Sequence, residues 1–316
     1  MRHTIQNLFK DQLDTWMLAK NNYTALEQVR VKELVVNGIG YKVQFNPARI
    51  VSSAAKVDSK SIQERKCFLC PAHLPAEQKG IPFGERYTLL VNPFPIFPRH
   101  LTIPEKAHVD QRIRMRIGDI LDLAATLPDF VIFYNGPKCG ASAPDHAHFQ
   151  AGNKGFLPIE QQWKTRREKR IVTQGEATLW LLNDAPRHTL VIESKHKAEA
   201  VELFHRIYKA LDQKADQEEP MMNVLAWFET DGEQNQDSGT YVVCVFPRSL
   251  HRPSCYTAEG EANMLISPAS VDMGGVFIMP READFEKITA TDIANILTEV
   301  CLSGEALESL IERIKQ

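Results

Sequence analysis

The sequence predicts an α+β fold built from two tandem units of antiparallel sheet with flanking helices, and three observations carry it. The first is an internal repeat. Residues 98–108 read PRHLTIPEKAH and residues 186–196 read PRHTLVIESKH, so an offset of 88 aligns Pro98, Arg99, His100, Glu105 and His108 with Pro186, Arg187, His188, Glu193 and His196. The same offset carries Asn135 onto Asn223. The second is a series of short Val-, Ile- and aromatic-rich runs joined by short or hairpin-like connections, which favours antiparallel sheet with helices packed on one side. The third is the lack of GxGxxG and GxxxxGK[ST], which removes the fingerprints of dinucleotide and P-loop folds.

The elements follow in order. Residues 1–30 read as helix, with Ile5, Leu8, Phe9, Leu13, Trp16 and Met17 at helical spacing. Residues 31–50 alternate and are Val-rich, with a hairpin turn at the NGIG of 37–40. Residues 52–80 are polar and loop-like. Tyr87–Val91 reads as a buried strand closed by Asn92-Pro-Phe-Pro, and His100–Ile103 as a strand stopped by Pro104. Residues 108–127 have helical periodicity, Phe130–Tyr134 is a strand, and a Gly- and Pro-containing loop leads to the alternating HAHFQA of 146–151. A helical stretch at 197–214 sits in the second copy where 109–127 sits in the first. The copies diverge at the histidine pair: the positions 88 beyond His146 and His148 are Gln234 and Gln236.

Composition narrows the class. The chain has 316 residues with 37 Lys+Arg against 40 Asp+Glu, a formal charge of −3, and 43% apolar and 24% charged residues. These are globular values that exclude a disordered chain or a supercharged nucleic-acid tail. No window approaches the ~18 apolar residues of a membrane helix, and the polar amphipathic N-terminus is not a signal peptide. The expectation is a cytoplasmic enzyme or binding protein with no nucleic-acid or membrane partner. Six cysteines, four of them widely spaced, read as reduced thiols.

Two motifs carry chemistry. Residues i, i+2 and i+4 of a strand share a face, so His146, His148 and Gln150 are expected to project together. Three such side chains cost desolvation unless they bind something. The preceding loop, 136–145, offers backbone N–H groups and the Ser142 hydroxyl to a phosphate. Cys67 and Cys70 form a CxxC that can place two thiolates on one metal. Zinc wants four nitrogen or sulfur ligands, and His73, His100, His108 and His146 are the candidates to complete the set.

NPFPIFPRHLTIPEKAH, then YNG, a Gly/Ser loop and HAHFQ resemble the histidine-triad superfamily. Gln in place of the third histidine marks its nucleotidyltransferase and phosphorylase branch. That branch includes galactose-1-phosphate uridylyltransferase, diadenosine tetraphosphate phosphorylase and the GDP-hexose phosphorylases. HAHFQA and the C-terminal GEANMLISPASVDMGGVFIMPREADFEKI resemble the last group most, and the resemblance covers roughly residues 65–316. It implies two tandem histidine-triad-like units: residues 1–64 packing on the core, a catalytic half at 65–160 and a diverged half at 161–316.

The resemblance also implies roles. His148 would be the nucleophile that attacks the α-phosphorus of a nucleoside diphosphate hexose, giving a covalent nucleotidyl-histidine. Gln150 would hydrogen-bond a non-bridging phosphate oxygen. Unlike a third histidine, it cannot protonate a leaving group, which points to inorganic phosphate as acceptor. Ser142 would assist at the phosphates, and Asn92 and Asn135 would lie near the nucleoside. Zinc-containing relatives imply the ligand set Cys67, Cys70, His108 and His146, with the metal structural. Hexose-1-phosphate uridylyl transfer and dinucleoside polyphosphate phosphorolysis are alternatives within the branch. A zinc-stabilised nucleotide-binding protein without turnover is an alternative outside it. An exposed sheet edge is a route to a homodimer.

Other residues read as structural or solvated. His100 and His188 are turn-capping histidines, and the basic run 164–170 is a solvated helix face. His251, among Arg248 and Arg252, and Lys138 are weaker candidates for phosphate contact. Cys244 is a buried strand residue.

Overall fold

The computed structural model describes residues 1–54, 57–232 and 238–316. Thirteen strands are found among them. In chain order these are β1 (Arg30–Val36), β2 (Ile39–Phe45), β3 (Gly80–Phe83), β4 (Tyr87–Val91), β5 (His100–Pro104), β6 (Phe130–Asn135), β7 (His148–Asn153), β8 (Arg167–Gln174), β9 (Ala177–Leu182), β10 (Leu190–Ser194), β11 (Met222–Thr230), β12 (Gly239–Pro247) and β13 (Val276–Met279).

Ten of them form one antiparallel sheet in the order β3-β4-β5-β7-β6-β11-β12-β10-β9-β8. Read outward from the centre, both halves run in the same sequence of equivalents, so the repeat is a five-stranded unit used twice about a pseudo-two-fold axis. The seam is the β6–β11 pair, and there the repeat-related Asn135 and Asn223 face each other directly. The histidine-pair equivalents, Gln234 and Gln236, lie outside the described residues.

Both faces of this sheet are buried. Ile132 and Tyr134 on β6 and Val224 and Ala226 on β11 belong to a core covered by helices Arg2–Thr15, Ile117–Thr126, Lys197–Ala210 and Gly304–Lys315. Their neighbours Val131, Phe133, Leu225 and Trp227 belong to a second core on the other face. The hairpin β1–β2, strand β13 and helix Ala290–Val300 cover much of that face. The expectation of helices on one side only is therefore corrected. A strand covered on both faces reads as a continuous apolar run rather than an alternating one, as in FVIFYN and YVVCVF.

The hairpin turns at Asn37 and Gly38, both at positive φ (49° and 75°), as a two-residue type I′ loop demands. Strand β2 then pairs in parallel with β13, so the N-terminal hairpin and a C-terminal strand share one small sheet.

Three element boundaries differ from the sequence reading. The N-terminal helix is two helices, Arg2–Thr15 and Met17–Leu26, broken at Trp16, which takes an extended conformation and is buried. No Pro or Gly marks this break. The helix expected at 108–127 begins only at Ile117, because residues 108–116 are drawn out into contacts with the cysteine loop and β7. The basic run at 164–170 leads into the edge strand β8 rather than forming a helix face. Charged side chains on an edge strand discourage further pairing.

Candidate active site

Strands β5 and β7 form the floor of the site. They pair antiparallel, with Thr102 opposite Gln150 and Pro104 opposite His148. Phe149 and Ala151 point into the helix-side core, so His148 and Gln150 project to the other face by strand alternation. His146 does not share that face, because β7 starts at His148 and His146 belongs to the preceding turn. The expected three-residue row is thus a pair, and His146 serves a separate cluster.

That cluster holds Cys67, Cys70, His108 and His146, whose donor atoms all lie within 4.8 Å of one another. His146 Nδ1 is 3.3 Å from Cys67 Sγ and 3.6 Å from Cys70 Sγ. His108 Nδ1 is 3.2 Å from Cys70 Sγ and 3.2 Å from His146 Nδ1. Tetrahedral coordination with bonds of ~2.3 Å to sulfur and ~2.0 Å to nitrogen separates donors by roughly 3.3–3.8 Å. The four residues therefore fit a closed four-ligand metal ion. His146 donates its Nε2–H to the Glu105 carbonyl at 2.7 Å, which leaves Nδ1 as the free lone pair and fixes the ring. Burial opposes ionisation of Cys67, yet His146 and the Leu69 amide bring its thiol down to about 6. His73 stands outside the set, its Nδ1 donating to the Cys67 carbonyl at 2.9 Å, and His100 lies elsewhere.

His148 is held from three sides. Its Nδ1–H donates to the His146 carbonyl at 2.8 Å, so Nε2 carries the lone pair. Gln111, buried and missed in the sequence reading, clamps the backbone: its Oε1 accepts the His148 N–H at 2.8 Å, and its Nε2 donates to the His148 carbonyl at 3.0 Å and the Asn135 carbonyl at 3.1 Å. Burial pushes the His148 imidazole down to about 4, so the ring is neutral at pH 7.

Gln150 is oriented by His100. The Ile96 N–H donates to His100 Nδ1 at 3.1 Å, so the ring proton sits on Nε2 and is donated to Gln150 Oε1 at 3.0 Å. His100 is therefore a partner of the site rather than a turn cap. Its repeat equivalent His188 instead takes a left-handed conformation (φ 57°). Asn92 supports Gln150 more weakly, at 3.4 Å, and donates to Thr102 Oγ1 at 2.9 Å.

Two cavities meet at Gln150, and the larger also reaches His148. The larger, about 540 Å³, is bounded by Trp16, Phe68, Leu74, Pro93 and Phe94 and reaches His148, Gln150, Asn92 and Ser142. Arg65 lies in its wall with Nη1 buried and unpartnered, its other end bonded to Asp145 and its guanidinium over the Phe68 ring at 5.2 Å. The smaller, about 70 Å³, is polar and shares Arg49, Ser142 and Gln150 with the larger. Asn135 opens onto this smaller cavity. Its Oδ1 is taken by Ser270 and Asn223, which leaves Nδ2 to face outward.

Residues 8–153 match a family described as a domain of unknown function (DUF4922), and residues 162–316 match the family described as GDPGP1-like, C-terminal domain. No curated protein matches the chain. Among solved structures, yeast Ap4A phosphorylase Apa2 aligns over 90% of this chain and 94% of its own at 16% identity and a TM-score of 0.58. The same enzyme in complex with Ap4A covers 91% and 97% at 16% identity and a TM-score of 0.59. In complex with AMP it covers 93% and 99% at 16% identity and a TM-score of 0.57. At that identity the likeness is one of fold. The C-terminal half of the chain thus matches the GDPGP1-like C-terminal domain, and the chain as a whole shares its fold with yeast Ap4A phosphorylase Apa2.

Proposed function

We propose that this protein is a nucleotidyltransferase that phosphorolyses a nucleoside diphosphate hexose through a nucleotidyl group carried on His148. The observation that supports this most is the fixed, neutral imidazole with Nδ1 bonded to a carbonyl, beside a Gln amide and a cavity with an apolar wall. The apolar wall suits a nucleobase, and the polar floor suits phosphates.

The chemistry balances without a general acid. Nε2 of His148 attacks the α-phosphorus and forms the N–P bond. The bond from the α-phosphorus to the bridging oxygen breaks, and its electron pair leaves with the hexose phosphate as a dianion. The ring keeps its Nδ1–H and carries the positive charge, which the His146 carbonyl stabilises. Inorganic phosphate then attacks the same phosphorus, the N–P bond breaks, and its electron pair returns to Nε2. The Gln150 amide, its oxygen already engaged, offers N–H donors to the equatorial oxygens as charge builds.

Cys67, Cys70, His108 and His146 would hold zinc. A closed four-ligand ion supplies a structural tie between the cysteine loop and the turn that carries His146, and no coordination site is left for substrate. The choice of a nucleotide sugar rests on the resemblance of HAHFQA and the C-terminal segment to the GDP-hexose phosphorylases.

Intact-protein mass spectrometry tests the reading. The chain is mixed with GDP-, UDP- or ADP-hexose, or with a dinucleoside tetraphosphate, without acceptor. The expected result is a gain of one nucleoside monophosphate, lost on adding phosphate and absent in His148→Ala. An adduct with the dinucleoside tetraphosphate alone would overturn the nucleotide-sugar assignment. No adduct with any donor would overturn the covalent mechanism.

A further inference from the structure

The break in the N-terminal helix has no local cause. Ile5, Leu8, Gln12, Trp16, Ala19 and Tyr23 are buried at spacings that one continuous helix would place on a single face. Yet Trp16 leaves the helix at φ −114° and ψ 99°, and the second helix starts with no side-chain cap for its first N–H groups. Such a kink ordinarily falls at Pro, at a Gly/Ser pair or at a π-bulge. Here Thr15, Trp16 and Met17 stand at the break, so the surroundings maintain it.

Contacts on either side hold the break over the larger cavity. On one side Gln12 donates from Nε2 to the Glu77 carbonyl at 2.9 Å and accepts the Lys79 N–H at 3.1 Å. On the other, Asn22 Nδ2 donates to the Pro93 carbonyl at 2.7 Å, and the Tyr23 hydroxyl donates to the His100 carbonyl at 3.1 Å. Gln78 and Pro93, at these anchors, line the cavity together with Trp16 and Leu18. Leu18, Val51 and Phe68 line it and are otherwise exposed, an apolar rim that a bound ligand would cover.

This wall fits a flat apolar group. Trp16, Leu18, Leu74, Pro75 and Pro93 would leave the hydroxyls of a hexose short of partners, whereas the face of a base needs none. Gln78 donates from Nε2 to the Val91 carbonyl at 3.1 Å, which leaves Oε1 to accept an N–H from the edge of a base.

We infer that Trp16 is the stacking platform for the nucleobase, and that the N-terminal helix is broken at this residue to put its indole on the cavity wall. The inference rests on the nucleotidyl-transfer reading above. It gives residues 1–26, which lie outside the segment whose resemblance suggested the chemistry, a direct part in substrate recognition.

The test uses the full chain and binding rather than turnover. Guanosine, uridine and adenosine 5′-monophosphates are titrated, and the tightest is carried forward beside ribose 5-phosphate and glucose 1-phosphate. In Trp16→Ala the nucleotide dissociation constant is expected to rise about ten- to a hundredfold, the scale of a lost base–aromatic stack. Ribose 5-phosphate and glucose 1-phosphate should bind as before. Trp16→Phe, which keeps a ring, should stay within about threefold of the unaltered protein. Indole emission gives a second measure, because Trp163, Trp180 and Trp227 do not line this cavity. The nucleotide should quench the unaltered protein and leave Trp16→Phe unquenched. Equal weakening of nucleotide and ribose 5-phosphate would mean that Trp16 only supports the fold, and weakening of glucose 1-phosphate alone would put the sugar on the indole. Either result overturns the inference. If Trp16→Ala does not fold, Trp16→Phe and the quenching decide. An adduct on His148 that forms with unchanged donor dependence in both variants overturns the stacking and leaves nucleotidyl transfer standing. Neither nucleotide binding nor an adduct in the unaltered protein overturns both.

Discussion

At the scale of single residues, the site depends on which way two side chains point. Gln150 can serve a phosphate only if its N–H groups face the cavity. His100 settles this, since the Ile96 N–H occupies its Nδ1 and leaves Nε2–H to engage the Gln150 oxygen. Burial pushes His100 down to about 3, so the arrangement holds across the neutral range. Gln150→Ala is expected to slow adduct formation by about 10²–10³-fold, the usual cost of a lost oxyanion donor. Gln150→Glu should be at least as slow, because it places negative charge against the phosphate. His100→Ala should cost about tenfold in the same step, with nucleoside monophosphate affinity little changed, as expected of a residue acting through Gln150. Stopped-time mass measurements read all three, and a Gln150→Glu variant at wild-type speed would sink the donor assignment. His148 and Gln150 were legible in the sequence because a strand's period of two puts them on one face. His100 and Gln111 were not. Their roles come from strand pairing and from a segment with helical periodicity that does not form a helix, and neither leaves a local sequence signal.

At the scale of elements, the cysteine loop and the turn before β7 are held by side chains and not by pairing. The Cys67–Cys70 segment contributes only a small apolar cluster with Leu69 and Ala143. Its order therefore depends on the four-residue cluster and on Asp145, which bonds Arg65 and lies 3.9 Å from His108. The protein is expected to carry about one zinc per chain, and Cys70→Ser to lose it. The variant's thermal midpoint should fall on the order of 5 °C, the cost of roughly 2 kcal/mol in a chain of this size. Elemental analysis with calorimetry checks both, and an unaltered protein that binds no metal would refute the assignment. The motif offered two members of this cluster by spacing alone. Choosing His108 and His146 over His73 and His100 took the resemblance. The geometry shows why they converge: the 108–116 segment leaves helix formation to cross over β7, and β7 begins two residues later than its alternation suggested. Boundaries fail in such places because tertiary contacts override periodicity.

At the scale of the whole molecule, ten strands in palindromic order make the two halves structurally alike and chemically unlike. The repeat was legible from PRH, from Glu105 with Glu193 and from the two asparagines. The seam where those asparagines pair was not, since pairing between halves leaves no pattern along the chain. That seam is buried, and polar at its asparagine end. Arg248 donates to Asn223 Oδ1 at 2.5 Å, and Asn223 donates to Asn135. Glu219, from the second half, reaches into the first, where it accepts the Tyr134 hydroxyl and, at 2.9 Å, the Ile113 N–H. Burial raises its carboxyl from the ordinary 4.5 to about 7, against the lowering pull of those hydrogen bonds and of Arg112 and Arg116. Tyr208 and Cys139 are the other titratable groups facing it. The consequence for stability has a definite sign. Below pH 4.5 both folded and unfolded chains hold the proton, and the contribution is fully present. Between 4.5 and 7 the unfolded chain releases the proton while the folded chain keeps it, so stability falls as pH rises. Above 7 the loss is complete, on the order of 3 kcal/mol at most. Glu219→Gln keeps an acceptor for Ile113 and removes the titration. Urea unfolding at pH 4.5 and pH 8 should show the two proteins nearly equal in the acid and the variant more stable at pH 8. Parallel curves would mean that Glu219 is ionised in the fold and that Arg112 and Arg116 outweigh its burial.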